Sequence, residues 1–193
     1  MEQPRLIVIG GANGSGKTTL AREYISVEGL PYLGADQIAY ELKPDDVESV
    51  ALEAGRLFIQ KIAEAIELNE SFIVESTLSG ISLRKWLSRA RVAGFLISTS
   101  FVYLDSAELC IVRVSSRVSR GGHNVPADDI RRRYDRSNRN FWNVYAPLSD
   151  EWRLYNNTGS GIIPVATGDK GGTVESDSER FELWLRMLTE TEK

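Results

Sequence analysis

The residues with the clearest chemical meaning form a glycine-rich loop, residues 11–18, of the pattern G-x-x-x-x-G-K-T. An apolar run at residues 6–9 precedes the loop, and a helix-forming sequence follows it. In this context the glycines let the backbone curl so that its N–H groups point at phosphate oxygens, above the positive end of the helix. The sequence therefore predicts a site for ATP. The predicted phosphate-binding residues are Gly11, Ala12, Asn13, Gly14, Ser15, Gly16, Lys17, Thr18 and Thr19.

Two side chains at the end of this loop have more specific predicted roles. We expect Lys17 to reach the β- and γ-phosphates and to count among the catalytic residues. The hydroxyl of Thr18 is the predicted protein ligand to magnesium. ATP and Mg²⁺ are therefore the predicted cofactors.

Three carboxylates follow predicted strands: Asp36, Glu75 and Asp105. In a parallel sheet, ligands bind at the carboxyl ends of the strands. Phosphoryl transfer to an alcohol requires a carboxylate that accepts the hydroxyl proton. Asp36 is the candidate for this catalytic base and for contact with the acceptor, and a helix N-cap is the alternative role.

The other two carboxylates have different predicted roles. Glu75 ends an apolar strand and is followed by hydroxyl side chains, so Glu75 and Thr77 are the predicted substrate-binding residues. Asp105 is predicted to cap a helix that begins at Ser106.

Arginine is concentrated in one segment of a chain whose net charge is −4. This pattern predicts a local anionic ligand rather than a general polyanion, and charge pairs on a solvated helix face are the alternative for about half of these arginines. Guanidinium groups above a nucleotide would neutralise the transferring phosphoryl group, and a closing flap at 121–126 would exclude water. His123 in this flap could contact a phosphate or hydrogen-bond within the loop. The arginines are Arg113, Arg117, Arg120, Arg131, Arg132, Arg133, Arg136 and Arg139.

Strand-like and helix-like segments alternate along the chain. Strands are predicted near 6–9, 31–33, 72–74, 96–104, 152–156 and 162–166. Helices are predicted near 17–24, 44–68, 83–92, 106–120, 127–142 and 177–189. This order predicts an α/β fold of the P-loop NTPase or kinase type: a three-layer α/β/α sandwich with a mostly parallel sheet of five to six strands and a helical arginine-rich lid at about 113–140.

Composition sets broader limits. The 193 residues are 42% hydrophobic and 26% charged, which is typical of one soluble domain. No apolar stretch approaches the ~20 residues that span a bilayer, and no secretory leader is apparent. The single cysteine, Cys110, cannot form an internal disulfide and is expected to pack within a helix face. These features predict a cytoplasmic protein with no membrane partner, and the net charge makes nucleic acid an unlikely ligand.

Several segments together resemble the zeta-toxin-like P-loop kinases. They are the phosphate-binding loop and residues 34–39, 72–80, 113–118, 120–126, 130–134 and 154–157, and the similarity covers about residues 6–165. The segment Glu-Ser-Thr-Leu-Ser-Gly from Glu75 and the segment Gly-Gly-His-Asn-Val-Pro from Gly121 are the most specific.

The resemblance implies a role for each matching residue. Lys17 and Thr18 would hold ATP and magnesium, Asp36 would be the base, and Glu75 with Thr77 would contact the substrate. Arg117 and Arg133 match the catalytic phosphate-binding arginines, with Arg113 or Arg120 as alternative nucleotide contacts. Zeta toxins phosphorylate a UDP-linked amino sugar and are blocked by a small antitoxin, so UDP-N-acetylglucosamine is the expected acceptor and an antitoxin a possible partner.

The chain departs from those toxins in two places. It has Ser79 and Gly80 where they carry an arginine, and residues 37–40 replace an arginine and a His-Pro pair after the catalytic aspartate. Both changes remove donors from the acceptor site. Two other functions fit the same residues: a nucleotide-gated interaction module, and a kinase that acts on RNA or nucleotide ends through the arginines near 131–139.

Overall fold

The strands form one sheet, which has seven strands within the residues that the structure describes. A computed structural model describes residues 3–122 and 124–190. The strands are β1 (Arg5–Gly10), β2 (Tyr32–Gly34), β3 (Phe72–Ser76), β4 (Leu96–Tyr103), β5 (Glu151–Asn156), β6 (Ile163–Asp169) and β7 (Gly172–Glu175). Their order is β2-β3-β1-β4-β5-β6-β7. The first five strands in this order are parallel, β6 is antiparallel to β5, and β7 is antiparallel to β6. The strand before the phosphate-binding loop is therefore central.

Helices connect these strands. They are α1 (Lys17–Glu28), α2 (Ala35–Leu42), α3 (Ala51–Glu67), α4 (Leu83–Val92), α5 (Ala107–Val118), α6 (Ala127–Asn140), the short α7 (Ala146–Leu148) and α8 (Ser178–Glu190). A π-helical segment, Phe141–Tyr145, joins α6 to α7. Among the described residues, no helix has both the length and the apolar character needed to cross a membrane.

Alternate residues of β1 build two different cores. Leu6 and Val8 belong to the larger core, with apolar residues of α3, α4 and α8, whereas Ile7 and Ile9 pack with Leu20 of α1 on the opposite face. Successive side chains of a strand point to opposite faces, and a strand covered on both faces is apolar throughout. The predicted fold class, a three-layer P-loop kinase-like α/β fold with a mostly parallel sheet, is confirmed.

The terminal helix packs into the core as predicted. Trp184 is fully buried, and its Nε1 donates a 2.9 Å hydrogen bond to Oδ1 of Asn138 in α6. Its ring contacts those of Phe141, Trp142 and Phe181. This aromatic cluster fixes α8 against α6 and the π-helical segment.

The sheet has one strand more than the upper limit of the prediction. The glycine-rich stretch near 168–178 forms a tight hairpin between β6 and β7, in which Asp169 pairs with Gly172. The N–H of Gly171 donates to the Asp169 side chain at 2.6 Å, and Gly172 has φ 146°. Asp and Gly suit such turns because Asp bonds nearby backbone and Gly accepts positive φ.

Two local predictions were wrong. The helix expected from Pro44 begins only at Ala51, because the Asp46 carbonyl accepts from the Ser49 hydroxyl at 2.9 Å and closes a separate turn. Asp105 does not cap α5. Its side chain instead accepts from Asn156 at 2.6 Å, and the hydroxyl of Ser106 caps the helix by accepting from the N–H of Leu109.

We predict a loss of stability in alkali. Burial is the largest cause that raises the pKa of Tyr103, Tyr145 and Tyr155 from 10.0 to about 12. The unfolded chain therefore releases these protons first as pH rises, so their stabilising contribution is complete below about pH 10 and is lost towards about pH 12. Urea unfolding measured across this range should show a falling free energy of unfolding, and a flat profile would contradict the prediction. The exposed Tyr40→Phe variant should follow the parent profile.

Candidate active site

The phosphate-binding loop is held by close packing around its glycines. Gly11, Gly14 and Gly16 have φ values of 148°, 83° and 103°, which L side chains rarely adopt. A Cβ atom at Gly14 would collide with the carbonyl oxygen of Cys110 in α5. The loop therefore lies directly against α5 and tolerates no side chain at this position.

Asn157 supports the loop from the turn after β5. Its Nδ2 donates to the backbone carbonyl of Ser15 at 2.8 Å, and its backbone carbonyl accepts from the Arg113 guanidinium at 2.5 Å. Arg113, expected at the nucleotide, thus binds the protein backbone beside the loop. The sequence placed Asn157 within the resembling segment 154–157 but did not predict this contact, because nothing local indicates a partner 142 positions away.

Glu75 lies at the centre of the candidate site. It is 9% exposed, and in the sheet it pairs with Ile9 of β1 and Gly34 of β2. Its Oε1 accepts from the Thr18 hydroxyl at 3.1 Å and lies 3.6 Å from the Lys17 ammonium nitrogen. A buried carboxylate needs such donors because it has lost its water. The structure thus brings together three of the predicted site residues.

Tyr32 supplies the remaining donor to Glu75. Its hydroxyl donates to Oε2 of Glu75 at 2.6 Å. Burial first, and then the charge and hydrogen bond of Glu75, raise the pKa of Tyr32 above its ordinary value, so the phenol remains a proton donor. Sequence analysis missed Tyr32. A possible signal is the following Gly34, where a Cβ would crowd the tyrosine hydroxyl.

Asp36 follows β2, the strand that pairs with the Glu75-bearing strand β3. It is the second residue of α2, exposed in the first turn, and Gly34 occupies the N-cap position. The alternative role of Asp36 as an N-cap is therefore wrong. Its charge also raises the pKa of Tyr32, so the carboxylate lies within electrostatic range of the phenol that binds Glu75.

The predicted lid arginines have different partners. Arg133 reaches the phosphate-binding loop, where its Nη1 donates to Oδ1 of Asn13 at 3.2 Å. Arg131 and Arg132 pair with acidic residues of the helices, and Arg120, just beyond the end of α5, donates to the carbonyl and hydroxyl oxygens of Ser116 in that helix. Arg117 is exposed on α5. The charge-pair interpretation therefore holds for part of the set. His123 lies outside the described residues.

The loop after β3 has an unusual backbone. Leu78 is 1% exposed and has φ 55°, a left-handed conformation that costs a leucine roughly 1–2 kcal/mol. On either side of it, the hydroxyls of Thr77 and Ser79 lie 2.9 Å apart and share a hydrogen bond. This hydrogen bond holds the side chain of Thr77, which is predicted to bind substrate and lies two residues after Glu75 in the chain.

The residues present fit a nucleotide and a divalent cation. The buried Ser15 hydroxyl in the phosphate-binding loop has no hydrogen-bond partner among the described residues. The oxygens of Thr18 and Glu75 are adjacent, and Mg²⁺ prefers such ligands. A cavity of about 580 Å³ lies between α1 and the turn at 157–162, with Thr19 and Asn157 in its wall.

This fold and loop define a P-loop nucleotide-binding protein. A family profile described as AAA domain (AAA_33) matches residues 6–140, and the chain belongs to this family. A curated relative, an uncharacterized protein of Haemophilus influenzae, is 32% identical over 132 residues, which are 68% of this chain and 94% of that protein.

Several solved structures share the fold. The AvrRxo1-ORF1:-ORF2 complex with ATP superposes with a TM-score of 0.75 at 18% identity over 96% of this chain, which spans only 64% of that AvrRxo1 chain. The PezAT toxin–antitoxin system of Streptococcus pneumoniae gives 0.64 at 19% identity, covering 100% of this chain and 89% of that one. A putative kinase from Chloroflexus aurantiacus gives 0.55 at 22% identity, covering 66% and 74%.

We predict that Arg133 and Arg132 differ in their effect on nucleotide affinity. Arg133→Ala should weaken binding of a non-hydrolysable ATP analogue about tenfold, because roughly 1.4 kcal/mol of charge-assisted contact at the loop is lost. Arg132→Ala is the matched control, since both arginines lie near Asp129, at 2.8 Å for Arg132 and 4.0 Å for Arg133, but Arg133 also donates to Asn13 of the loop. Isothermal titration calorimetry measures both, and equal losses would contradict the assignment.

Proposed function

We propose that this chain is an ATP-dependent phosphotransferase of the zeta-toxin type. It would transfer the γ-phosphoryl group of ATP to a hydroxyl of a sugar nucleotide or related metabolite. The observation that carries the proposal is the buried Glu75 carboxylate, bound by Lys17, Thr18 and Tyr32 at the strand ends beside the phosphate-binding loop. An acceptor placed there would lie between the γ-phosphate and Asp36.

Each charged group has a distinct role in this proposal. Lys17 and Arg133 stabilise negative charge on the transferring group, and Arg117 is the further arginine proposed to do so. Bound to Thr18 and Glu75, Mg²⁺ would neutralise charge on the β- and γ-phosphates. Glu75 and Thr77 bind the acceptor.

The proposed reaction is a displacement at the γ-phosphorus of ATP. The acceptor oxygen forms a bond to the γ-phosphorus while its proton passes to the Asp36 carboxylate. The bond from the γ-phosphorus to the bridging oxygen breaks, and ADP leaves with the electron pair. Asp36 suits this role because it is exposed in the first turn of α2, where it can meet a small molecule that enters from solvent.

UDP-N-acetylglucosamine is the first acceptor to test. Ser79 and Gly80 offer fewer donors than the arginine of the toxins, so other sugars and nucleotides belong in the same assay. The structural likeness to a chain of the PezAT toxin–antitoxin system supports extending the proposal to a small inhibitory partner protein.

One experiment separates the candidate functions. The protein is incubated with labelled ATP and either UDP-N-acetylglucosamine or a bacterial metabolite extract, and mass spectrometry detects a gain of one phosphate. A phosphorylated metabolite supports the proposal. Hydrolysis of ATP with no phosphorylated acceptor would favour a nucleotide-gated module, and labelling of an added oligonucleotide end would favour an RNA kinase.

We predict that Asp36→Asn lowers transfer by ~10²–10⁴-fold, because an amide cannot accept the hydroxyl proton. Affinity for ATP should be retained, since Asp36 makes no contact with the phosphate-binding loop in this proposal. The matched control is Asp45→Asn at an exposed position in the following segment. Initial rates of phosphate transfer measure the effect, and a fully active Asp36→Asn variant would rule out this base.

A further inference from the structure

The left-handed backbone conformation of Leu78 is held by side chains that lie outside the loop 77–80. Among the described residues, Leu78 and Asn69 are the non-glycine residues with positive φ. Asn69 follows the end of α3, where asparagine commonly adopts this conformation. No such local preference explains the conformation of Leu78, which is a buried apolar residue between Thr77 and Ser79. A strained backbone persists only where its surroundings determine it.

Two side chains from one helical segment bind the backbone on either side of Ser79. Nδ2 of Asn140 donates to the carbonyl of Leu78 at 2.8 Å, and the hydroxyl of Tyr145 donates to the carbonyl of Gly80 at 2.5 Å. Within the loop, the N–H of Leu78 donates to the Ser76 hydroxyl at 3.2 Å. The carbonyls on both sides of Ser79 are thus fixed.

The π-helical segment explains how both donors reach the same loop. Asn140 ends α6, and Tyr145 ends the π-helical segment five residues later. In an α-helix, residues five apart point about 140° away from each other. The i→i+5 bonding of a π-helix reduces this divergence, and such segments occur frequently at functional sites.

Helix α6, which ends at Asn140, also contacts the phosphate-binding loop. Arg133, which donates to Asn13, lies seven residues before Asn140, so the two share a face of α6 two turns apart. One rigid element therefore touches the loop proposed for ATP and the loop proposed for the acceptor.

We propose that Asn140 and Tyr145 are positioning residues for acceptor binding, which hold the Leu78 and Gly80 carbonyls so that Thr77 and Ser79 face the acceptor. This inference rests on the proposed phosphotransferase function. The two residues do not touch the reacting groups, and they act through the backbone of 77–80.

The test uses two conservative changes and a matched control. Asn140→Asp keeps the shape but removes the donor, and Tyr145→Phe removes only the hydroxyl. Asn143→Asp makes the same chemical change at an exposed position of the π-helical segment. Transfer from labelled ATP is measured over a dilution series of metabolite extract, and hydrogen exchange is measured by mass spectrometry on the full chain.

We expect Asn140→Asp and Tyr145→Phe to raise the half-saturating extract concentration about tenfold while KM for ATP stays within about twofold. Amides of 77–80 should exchange about tenfold faster, with amides of 11–18 unchanged. Asn143→Asp should match the parent protein in each measurement.

Three outcomes would overturn the inference: unchanged exchange at 77–80, an equal loss of affinity for ATP, or the same changes in Asn143→Asp. If the parent protein labels no component of the extract, the proposed function fails instead. Exchange at 77–80 then still decides whether Asn140 and Tyr145 hold the loop.

Discussion

The site depends on protein donors that replace the water lost by one buried carboxylate. Burial of a charge costs several kcal/mol unless donors replace the lost hydration. Glu75 meets this need with the Lys17 ammonium and the hydroxyls of Thr18 and Tyr32. These donors come from the start of α1 and from β2, so the carboxylate joins three neighbouring strands at their carboxyl ends. The high pKa of Tyr32 keeps one of these donors protonated.

The rest of the fold holds these strand ends in register. β1 is covered on both faces, by separate cores, and this fixes the point at which the phosphate-binding loop leaves the sheet. The aromatic cluster around Trp184 fixes α6 on one side of the sheet, and α6 then supports two loops at the site through Arg133 and Asn140. Packing far from the site therefore decides where its polar groups lie.

The parts of the site that were predictable from the sequence are those with local signals. The phosphate-binding loop is a contiguous motif, and Glu75 ends an apolar strand, so each could be placed before any contact was known. Tyr32, Asn157 and Asn140 were missed because each acts on a residue distant in the chain, and neither propensity nor spacing indicates the partner. For the arginines, the sequence signal was misleading. Their abundance predicted one shared ligand, whereas the i,i+3 spacing of Arg132 and Asp129 is typical of a charge pair on a helix.

The fold, like the site, was predictable where the sequence signals are local. Alternation of strands and helices predicted the layers, because connections in such folds are short and their order restricts the topology. The β6–β7 hairpin was missed because its glycine-rich sequence has little apolar alternation, although its turn residues were visible.

The packing of Gly14 against the carbonyl of Cys110 has a mechanical consequence. The gap between them is too small for a Cβ atom, so α5 cannot move toward the phosphate-binding loop without displacing the loop itself. The arginines of α5 can therefore change their reach to the loop only through side-chain rotamers or through a tilt of the helix about this contact.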